Sequence, residues 1–364
     1  MRRFTELSWS WRSTRSRVLS VAAGALASIA AASMVSAVQA GVVNLGSFSG
    51  EFVTVGDPNN TADTITGGYG AVSQTFDIMK FEFTNQQYVQ FLNSVDANGN
   101  QTNGIYNALM GSDGRGGISF TSGAATGSKY AVKTNMGNKP VNFVSWFDAA
   151  RVSNWLHNGA TSTSSMETGA YNLNDATSGN AVAPNTGARF FIPSANEWYK
   201  AAYYKGGGTN AGYWAYGTQS DTLPTRVTAD GTGVGSAGNS GNFANYNNFA
   251  DWNGQDGNVT TVGTNGGPSA YGAFDMTGNV REWTDLDRSS SLLRGRMGGN
   301  FSGGNAFMSS SGPNLSVTAS GEEQTFGFRL ASLSSDTVVP EPSMMVIGMV
   351  FGLGGLAAKR RLKK

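Results

Sequence analysis

The stretch "GAFDMTGNVREWTD" at residues 272–285 concentrates acidic side chains in a chain that is only 13% charged. It places three carboxylates, on Asp275, Glu282 and Asp285, around two glycines and beside Trp283. Turns rich in carboxylate and carbonyl oxygens hold hard cations such as calcium. The same residue types also cap turns by hydrogen bonding, with the tryptophan packed in a core. The stretch taken alone leaves both interpretations open.

The composition of the whole chain indicates a loop-rich folded protein. Its 364 residues, 39% of them hydrophobic, are enough for one large domain or two small ones. The 50 glycines favour short elements joined by irregular chain. The sequence has no Cys and a single His, His157, which excludes Cys/His zinc sites, iron–sulfur clusters and thiol nucleophiles.

Residues 1–40 have the pattern of a secretory signal peptide. Five arginines precede an Ala- and Ser-rich apolar run that ends in Val38-Gln39-Ala40. Small residues at the −3 and −1 positions predict cleavage after Ala40, and the alternative is a membrane helix that is retained.

Residues 336–364 carry a Pro-Glu-Pro triplet (residues 340–342), an apolar run at 343–358 and a basic tail of Lys and Arg. This arrangement resembles the PEP-CTERM sorting signal of bacterial exported proteins. The resemblance implies a transient transmembrane helix at the C-terminus that an exosortase-type processing machinery removes. It also implies an exported protein at the cell envelope, the outer surface or in the extracellular matrix.

Removing both ends reverses the net charge of the protein. Five of the 25 Lys and Arg lie before residue 41 and five after residue 342, whereas Glu6 is the one acidic residue of 24 in these ends. Residues 41–342 therefore carry 15 basic and 23 acidic side chains, a net charge of −8. This balance argues against nucleic acid as a partner and suits cation binding or a non-adhesive surface.

The body of the chain contains three well-started helices separated by short β segments. Each helix begins with a capping-box pattern, in which the cap residue and the residue three later satisfy each other's backbone donors. The pairs are Thr84 and Gln87, Ser145 and Asp148, and Ser194 and Glu197. We expect strands in "SQTFDIMKFEF", "KPVNFV", "ARFFIP", "RGRMGGNF" and "FGFRLAS", and long loops at about 97–128, 158–187 and 206–268.

Eight ordered segments resemble the formylglycine-generating enzyme, or sulfatase-modifying factor, family. They are "FEFTNQQYVQFLN", "KPVNFVSWFDAARVSNWL", "ARFFIPSANEWYKAAYY", "YWAYG", "FANYN", "AYGAFDMTGNVREWTD", "RMGGNF" and "FGFRLA". The similarity covers roughly residues 43–332. It implies an α+β fold, a single C-type-lectin-like domain at residues 41–335 with short helices, small sheets and long irregular loops.

The resemblance also implies two calcium sites. The first would use the side chains of Asp275 and Glu282 and the carbonyls of Gly278 and Val280. The second would use the side chains of Asn245 and Asp256 and the carbonyls of Tyr246 and Asn258, with Asp251 as a rival for Asp256. Because the chain has no disulfide, bound calcium would stabilise the folded state by mass action, and we expect chelation to lower the melting temperature.

The family's oxidase members use two active-site cysteines that hold copper, and these positions correspond to about Gly303 and Met308. Neither residue supplies a thiolate, so we expect no copper and no copper-dependent oxidase activity. The ligand-facing region of the family would include Trp214, Tyr216, Asn300, Phe301, Asn305 and Arg329. For these side chains the alternative is core and loop packing, and for Arg329 it is hydrogen bonds that tie the last strand to the fold.

These observations predict an exported binding or structural module, stabilised by calcium, with a polysaccharide or peptide ligand. The alternative is an enzyme of the same family that modifies an exported protein or small molecule without copper. A general base for that reaction would be a carboxylate such as Asp285 or Asp287. The sequence singles out no catalytic residue, and whether the protein is an enzyme stays open at this stage.

Overall fold

A computed structural model describes residues 41–65, 68–285, 292–312 and 315–333. The predicted signal peptide at 1–40 and the predicted sorting signal at 336–364 lie outside these ranges. Within them, no helix has the length and apolar character needed to cross a membrane.

The described residues form four α-helices, and three of them begin as predicted. The bounds are α1 Asn85–Val95, α2 Leu109–Ser112, α3 Trp146–His157 and α4 Ala195–Tyr203, with short 3-10 turns at Thr102–Gly104 and Asn305–Phe307. The capping boxes predicted at Thr84, Ser145 and Ser194 are all present, which confirms these three helix starts. Each box satisfies backbone donors that would otherwise be orphaned at a helix N-terminus.

The described strands form two larger sheets. The first is a five-stranded antiparallel sheet in the order β1-β2-β3-β13-β6, with β1 Gly41–Leu45, β2 Phe48–Val55, β3 Phe76–Met79, β13 Ala331–Leu333 and β6 Phe190–Phe191. The second is a four-stranded sheet in the order β11-β10-β9-β12, with β11 Leu315–Thr318, β10 Leu293–Met297, β9 Arg281–Thr284 and β12 Phe326–Gly327. Two strand pairs complete the described elements: β4 Ile118–Phe120 with β5 Tyr130–Val132, and β7 Thr225–Arg226 with β8 Phe243–Ala244.

The segment "KPVNFV" departs from its predicted strand. It makes one isolated bridge, between Pro140 and Thr84, and Phe143 has a φ of 57°. A proline removes a ladder donor and a left-handed residue breaks the pleat, so the segment turns instead of extending. The turn carries the chain directly into α3.

Helix α3 lies inside the protein rather than on its surface. Every residue from Trp146 to Leu156 is buried. The ring of Trp155 lies 5.6 Å from the ring of Phe91 and 6.3 Å from that of Phe48, so α3 joins α1 to β2. Its Nε1 donates to the Ser94 hydroxyl and the Thr161 carbonyl, each at 3.2 Å. The core therefore packs α1 and α3 against the first sheet, whereas α4 contacts β10 of the second sheet, whose turns form the sites described below.

Candidate functional site

The turn quoted at the outset leads into β9 through left-handed backbone. Asp275, Gly278 and Asn279 have φ values of 58°, 97° and 61°. Residues in this region of φ reverse the chain direction tightly. As a result Asp275 and Glu282, which are seven positions apart in the sequence, are both buried on the inner side of the turn.

Glu282 pairs with Arg329 inside the protein. The Arg329 Nε donates to Glu282 Oε2 at 2.6 Å, and one terminal nitrogen donates to Oε1 at 2.7 Å. Both side chains have no exposed surface. Trp198 Nε1 also donates to Oε2 at 2.8 Å. The two-point geometry is the strong form of an arginine–carboxylate interaction, and it occupies both oxygens of Glu282.

Two further carboxylates surround this pair. Glu82 accepts from the Asn279 side chain at 2.7 Å and from the Val280 amide at 3.1 Å. Asp275 accepts from the Asn265 side chain at 2.8 Å and from the Gly263 amide at 2.5 Å. Burial, then the charges of Asp275 and Glu282, raise the pKa of Glu82 well above its usual value, and burial raises the pKa of Asp275. One arginine therefore balances three buried carboxylates.

Glu82 did not emerge from the sequence as a site residue. Its signal is a single acidic residue in the mostly apolar segment "IMKFEF" at residues 78–83, which also contains Lys80. A charged side chain at a strand end is ordinary, and its partner Asn279 is 197 positions away. No sequence pattern therefore indicated that Glu82 and Asn279 are in contact.

At the first predicted calcium site, the carboxylate oxygens already accept hydrogen bonds from N–H groups of the protein. Asp275 and Glu282 accept from amide, indole and guanidinium groups, as described above. Among the described residues, no group of three or more His, Asp or Glu side chains is placed to hold a metal ion. These side chains as arranged do not fit a calcium ion.

The second predicted set lies against the same turn and is only partly assembled. The Asn279 amide donates to the Asn245 carbonyl at 2.9 Å, and Asn245 Nδ2 donates to the Asn258 carbonyl at 2.9 Å. The Asn245 Oδ1 atom is buried and accepts no hydrogen bond from the described residues. The side chain of Asp256 is exposed, and that of Asp251 accepts from the Gly257 amide. The structure therefore brings Asn245 and Asn258 together, and the free Asn245 oxygen fits a cation.

The Tyr246 side chain faces a surface groove of about 360 Å³. The groove is lined by Leu223, Arg226, Tyr246, Asn247, Gly304 and Asn305. The Arg226 guanidinium carbon lies 4.1 Å from the centre of the Phe249 ring, and Leu223 and Phe249 are 47% and 41% exposed. The groove thus combines amide groups, one cation and exposed apolar surface.

Gly303 and Met308 border this groove without offering it a metal ligand. Met308 is fully buried and packs with Ala244 and Tyr246, with Tyr216 against the same cluster. The Gly303 carbonyl accepts from the Asn247 amide at 3.0 Å. The backbone beside the groove is therefore closed by hydrogen bonds, and the side chain at position 308 is a core thioether.

The predicted ligand-facing residues separate into two groups. In the first group, Asn305 lines the groove. Asn300 stabilises the adjoining turn by accepting hydrogen bonds from the amides of Ser302 and Gly303. Tyr216 packs against the cluster that contains Met308. Phe301, Trp214 and Arg329 lie elsewhere: Phe301 is buried 5.7 Å from Arg115, Trp214 stacks 4.3 Å from Lys205 Nζ, and Arg329 is paired with Glu282.

Asp285, which was named as a candidate general base, is engaged in a buried ion pair. Asp285 is fully buried, and its Oδ1 lies 3.0 Å from Arg294 Nε. Asp287 lies outside the described residues. The groove residues that the sequence did not single out are Leu223, Arg226, Asn247 and Gly304, because they lie in short or irregular segments without any periodic pattern.

Comparison with protein families identifies the domain. Residues 29–333 match the model of the sulfatase-modifying factor enzyme 1-like domain. The chain belongs to this family. The mixture of short helices, small sheets and irregular chain agrees with the α+β fold class predicted from its eight motifs.

Solved structures of similar fold share little sequence with this sulfatase-modifying factor domain. Treponema denticola variable protein 1 is 18% identical with a TM-score of 0.49, and the match covers 80% of this chain and 98% of that one. CarF is 18% identical, with a TM-score of 0.49 and coverages of 79% and 99%. PvdO from Pseudomonas aeruginosa is 17% identical, with a TM-score of 0.47 and coverages of 81% and 99%. A comparison with curated proteins gives no match.

Proposed function

We propose that this sulfatase-modifying factor domain is a non-oxidase binding module whose groove holds an extracellular oligosaccharide. The observation that carries the proposal is the lining of the groove. The family resemblance places two copper-binding cysteines at Gly303 and Met308. Here the Gly303 carbonyl accepts a backbone hydrogen bond, and the Met308 side chain is buried in a small core cluster. The adjoining space offers the side chains of Arg226, Asn247 and Asn305.

A sugar fits this lining better than an apolar ligand does. Amide side chains donate and accept at once, which matches paired hydroxyl groups, and the guanidinium adds donors in a fixed plane. Exposed Leu223 in the groove lining supplies apolar surface for the C–H face of a sugar ring, and exposed Phe249 lies beside Arg226. The predicted export to an envelope or matrix, which is part of this proposal, would bring the domain to polysaccharide.

Asn305→Ala and Arg226→Ala are each expected to weaken oligosaccharide binding about tenfold or more, because each removes hydrogen bonds worth about 1–3 kcal/mol when left unmade. The measurement is a glycan array on the purified protein, followed by calorimetric titration of the best sugar. Trp214→Ala is the matched control, because its ring stacks on Lys205 outside the groove lining. Binding that is abolished by the Trp214 variant and unaffected by both groove variants contradicts the proposal.

We propose a bound calcium ion only at the second predicted site, which includes Asn245 and Asn258. Asn245 has a free buried oxygen there, and a cation bound to it would join the 245–258 loop to the turn before β9. We expect calcium to raise the melting temperature relative to chelator, and Asn245→Ala to abolish that difference. Asp275→Asn should retain the difference, because Asp275 already accepts two protein donors. Identical melting curves with calcium and with chelator would remove calcium from the account.

A further inference from the structure

One face of the four-stranded sheet gathers three arginines. Arg294 is paired with Asp285, whereas Arg281 and Arg296 have little to neutralise them. Arg281 and Trp283 point to the same face of β9, because side chains alternate along a strand. Arg296 on β10 pairs directly with Trp283, and Phe326 on β12 pairs with Arg281. Arg281 and Arg296 are therefore diagonal neighbours across the ladder, a spacing that long side chains bridge.

Both guanidinium groups lie on aromatic rings. The guanidinium carbon of Arg296 is 3.9 Å from the centre of the Phe326 ring, and that of Arg281 is 4.7 Å from the centre of the Phe307 ring. Stacking holds a guanidinium by its flat face and leaves its N–H donors, which lie in the plane, available to another group.

Those donors lack acceptors within the described part of the protein. Arg296 is 8% exposed, and its Nε is buried without a hydrogen-bond partner. A buried charged donor that is left unpaired costs free energy, and a pair of like charges adds to the cost. Burial, then the charge of Arg281, lower the pKa of Arg296 to about 10.

Among the described residues, Glu323 is the carboxylate whose charge acts on both arginines. Its side chain is exposed, and its backbone carbonyl accepts from the amides of Phe143 and Phe326. Neither arginine forms an ion pair with it within 4.0 Å. Arg281 is partly exposed, whereas Arg296 is buried, so solvent reaches the pair mainly at Arg281.

We propose that Arg281 and Arg296 form an oxyanion-binding site, separate from the groove at Asn305, which takes a sulfate or carboxylate group. Two stacked guanidinium groups present fork-shaped donors that match the oxygens of such groups. The anion would accept from the N–H groups of the partly exposed Arg281 and would reduce the repulsion between the two cations. The group could belong to an inorganic ion or to an acidic sugar, and the two sources are distinguished by experiment.

The test is a thermal melt of the full-length protein in sodium sulfate, sodium glucuronate, a sulfated disaccharide or sodium chloride at matched ionic strength. We expect at least one of the three oxyanions to raise the melting temperature in a saturable way beyond chloride. Arg281→Gln should weaken that saturable effect about tenfold or more, since it removes charge-assisted hydrogen bonds. Saturation by sulfate indicates a free ion, whereas saturation only by the sugars indicates a polysaccharide group.

Two controls keep the result decisive. Sulfate also stabilises proteins generally by exclusion from their surfaces, but that effect grows without saturation and survives in the variant. Lys205→Gln removes a different cation that lies over an aromatic ring, that of Trp214, outside the groove lining, and it should retain the full oxyanion effect. Arg281 is chosen as the main variant because it is partly exposed, and Arg296→Gln serves as the second. Equal, unsaturated shifts in the wild type and both sheet variants would overturn the proposal.

Discussion

Replacing Arg329 by methionine is expected to lower the free energy of unfolding by about 3–5 kcal/mol, the usual cost of breaking a buried ion pair. Arg329 donates twice to Glu282, and it also donates to the carbonyls of Phe274 and Met79 at 2.8 and 3.0 Å. Without it, the carboxylates of Glu82, Asp275 and Glu282 remain buried with no cation beside them. Urea unfolding followed by tryptophan fluorescence at neutral pH measures the change.

The double variant Arg329→Met with Glu282→Gln separates charge from packing. It removes one buried negative charge and keeps an amide oxygen to accept from Trp198, so it should recover roughly 1 kcal/mol or more of the loss, within the range of measured coupling energies. Lys80→Met is the surface control, since Lys80 and Glu51 are 31% and 46% exposed, and such pairs contribute about 0–1 kcal/mol. If Arg329→Met unfolds within the range of the Lys80 variant, the buried cluster does not hold the fold together.

The parts of the fold that were predictable are those set by neighbouring residues. A cap and a residue three positions later suffice to start a helix, so Ser145 with Asp148 and Ser194 with Glu197 could be identified from sequence. The strand expected at "KPVNFV" failed because the left-handed conformation of Phe143 depends on surrounding packing. β propensity alone does not foresee such a residue.

The site was less predictable, because its contacts join distant segments. Glu282 and Arg329 are 47 positions apart, although both lie in motifs. The hydrogen bonds of Arg329 to Glu282 and to the Met79 carbonyl confirm its alternative role, which was to tie the last strand to the fold. Arg226 and Asn305 line one groove because β7 pairs with β8 and the Asn247 amide, which follows β8, donates to the Gly303 carbonyl. No spacing rule links residues that meet through irregular chain.

Gly278→Ala is expected to lower the free energy of unfolding by about 2–5 kcal/mol. Gly278 has a φ of +97°, which costs an ordinary residue about 1–2 kcal/mol, and a Cβ there would lie 2.4 Å from the Asn245 carbonyl oxygen. That oxygen is backbone and accepts from the Asn279 amide, so it cannot move aside without breaking the bridge between the two turns. Overpacking of this kind adds about 1–3 kcal/mol. Urea unfolding of the purified variant checks the value.

Gly212→Ala is the control that isolates the steric part of this effect. Gly212 has a φ of +79°, but a Cβ there meets no atom within 4 Å, so its substitution should cost only the conformational term of about 1–2 kcal/mol. Because Asn245 packs against Gly278, the alanine variant should also weaken any dependence of stability on calcium, which the Gly212 variant should leave intact. Equal losses in the two variants would show that the close approach of the 245–258 loop to the turn before β9 contributes nothing to stability.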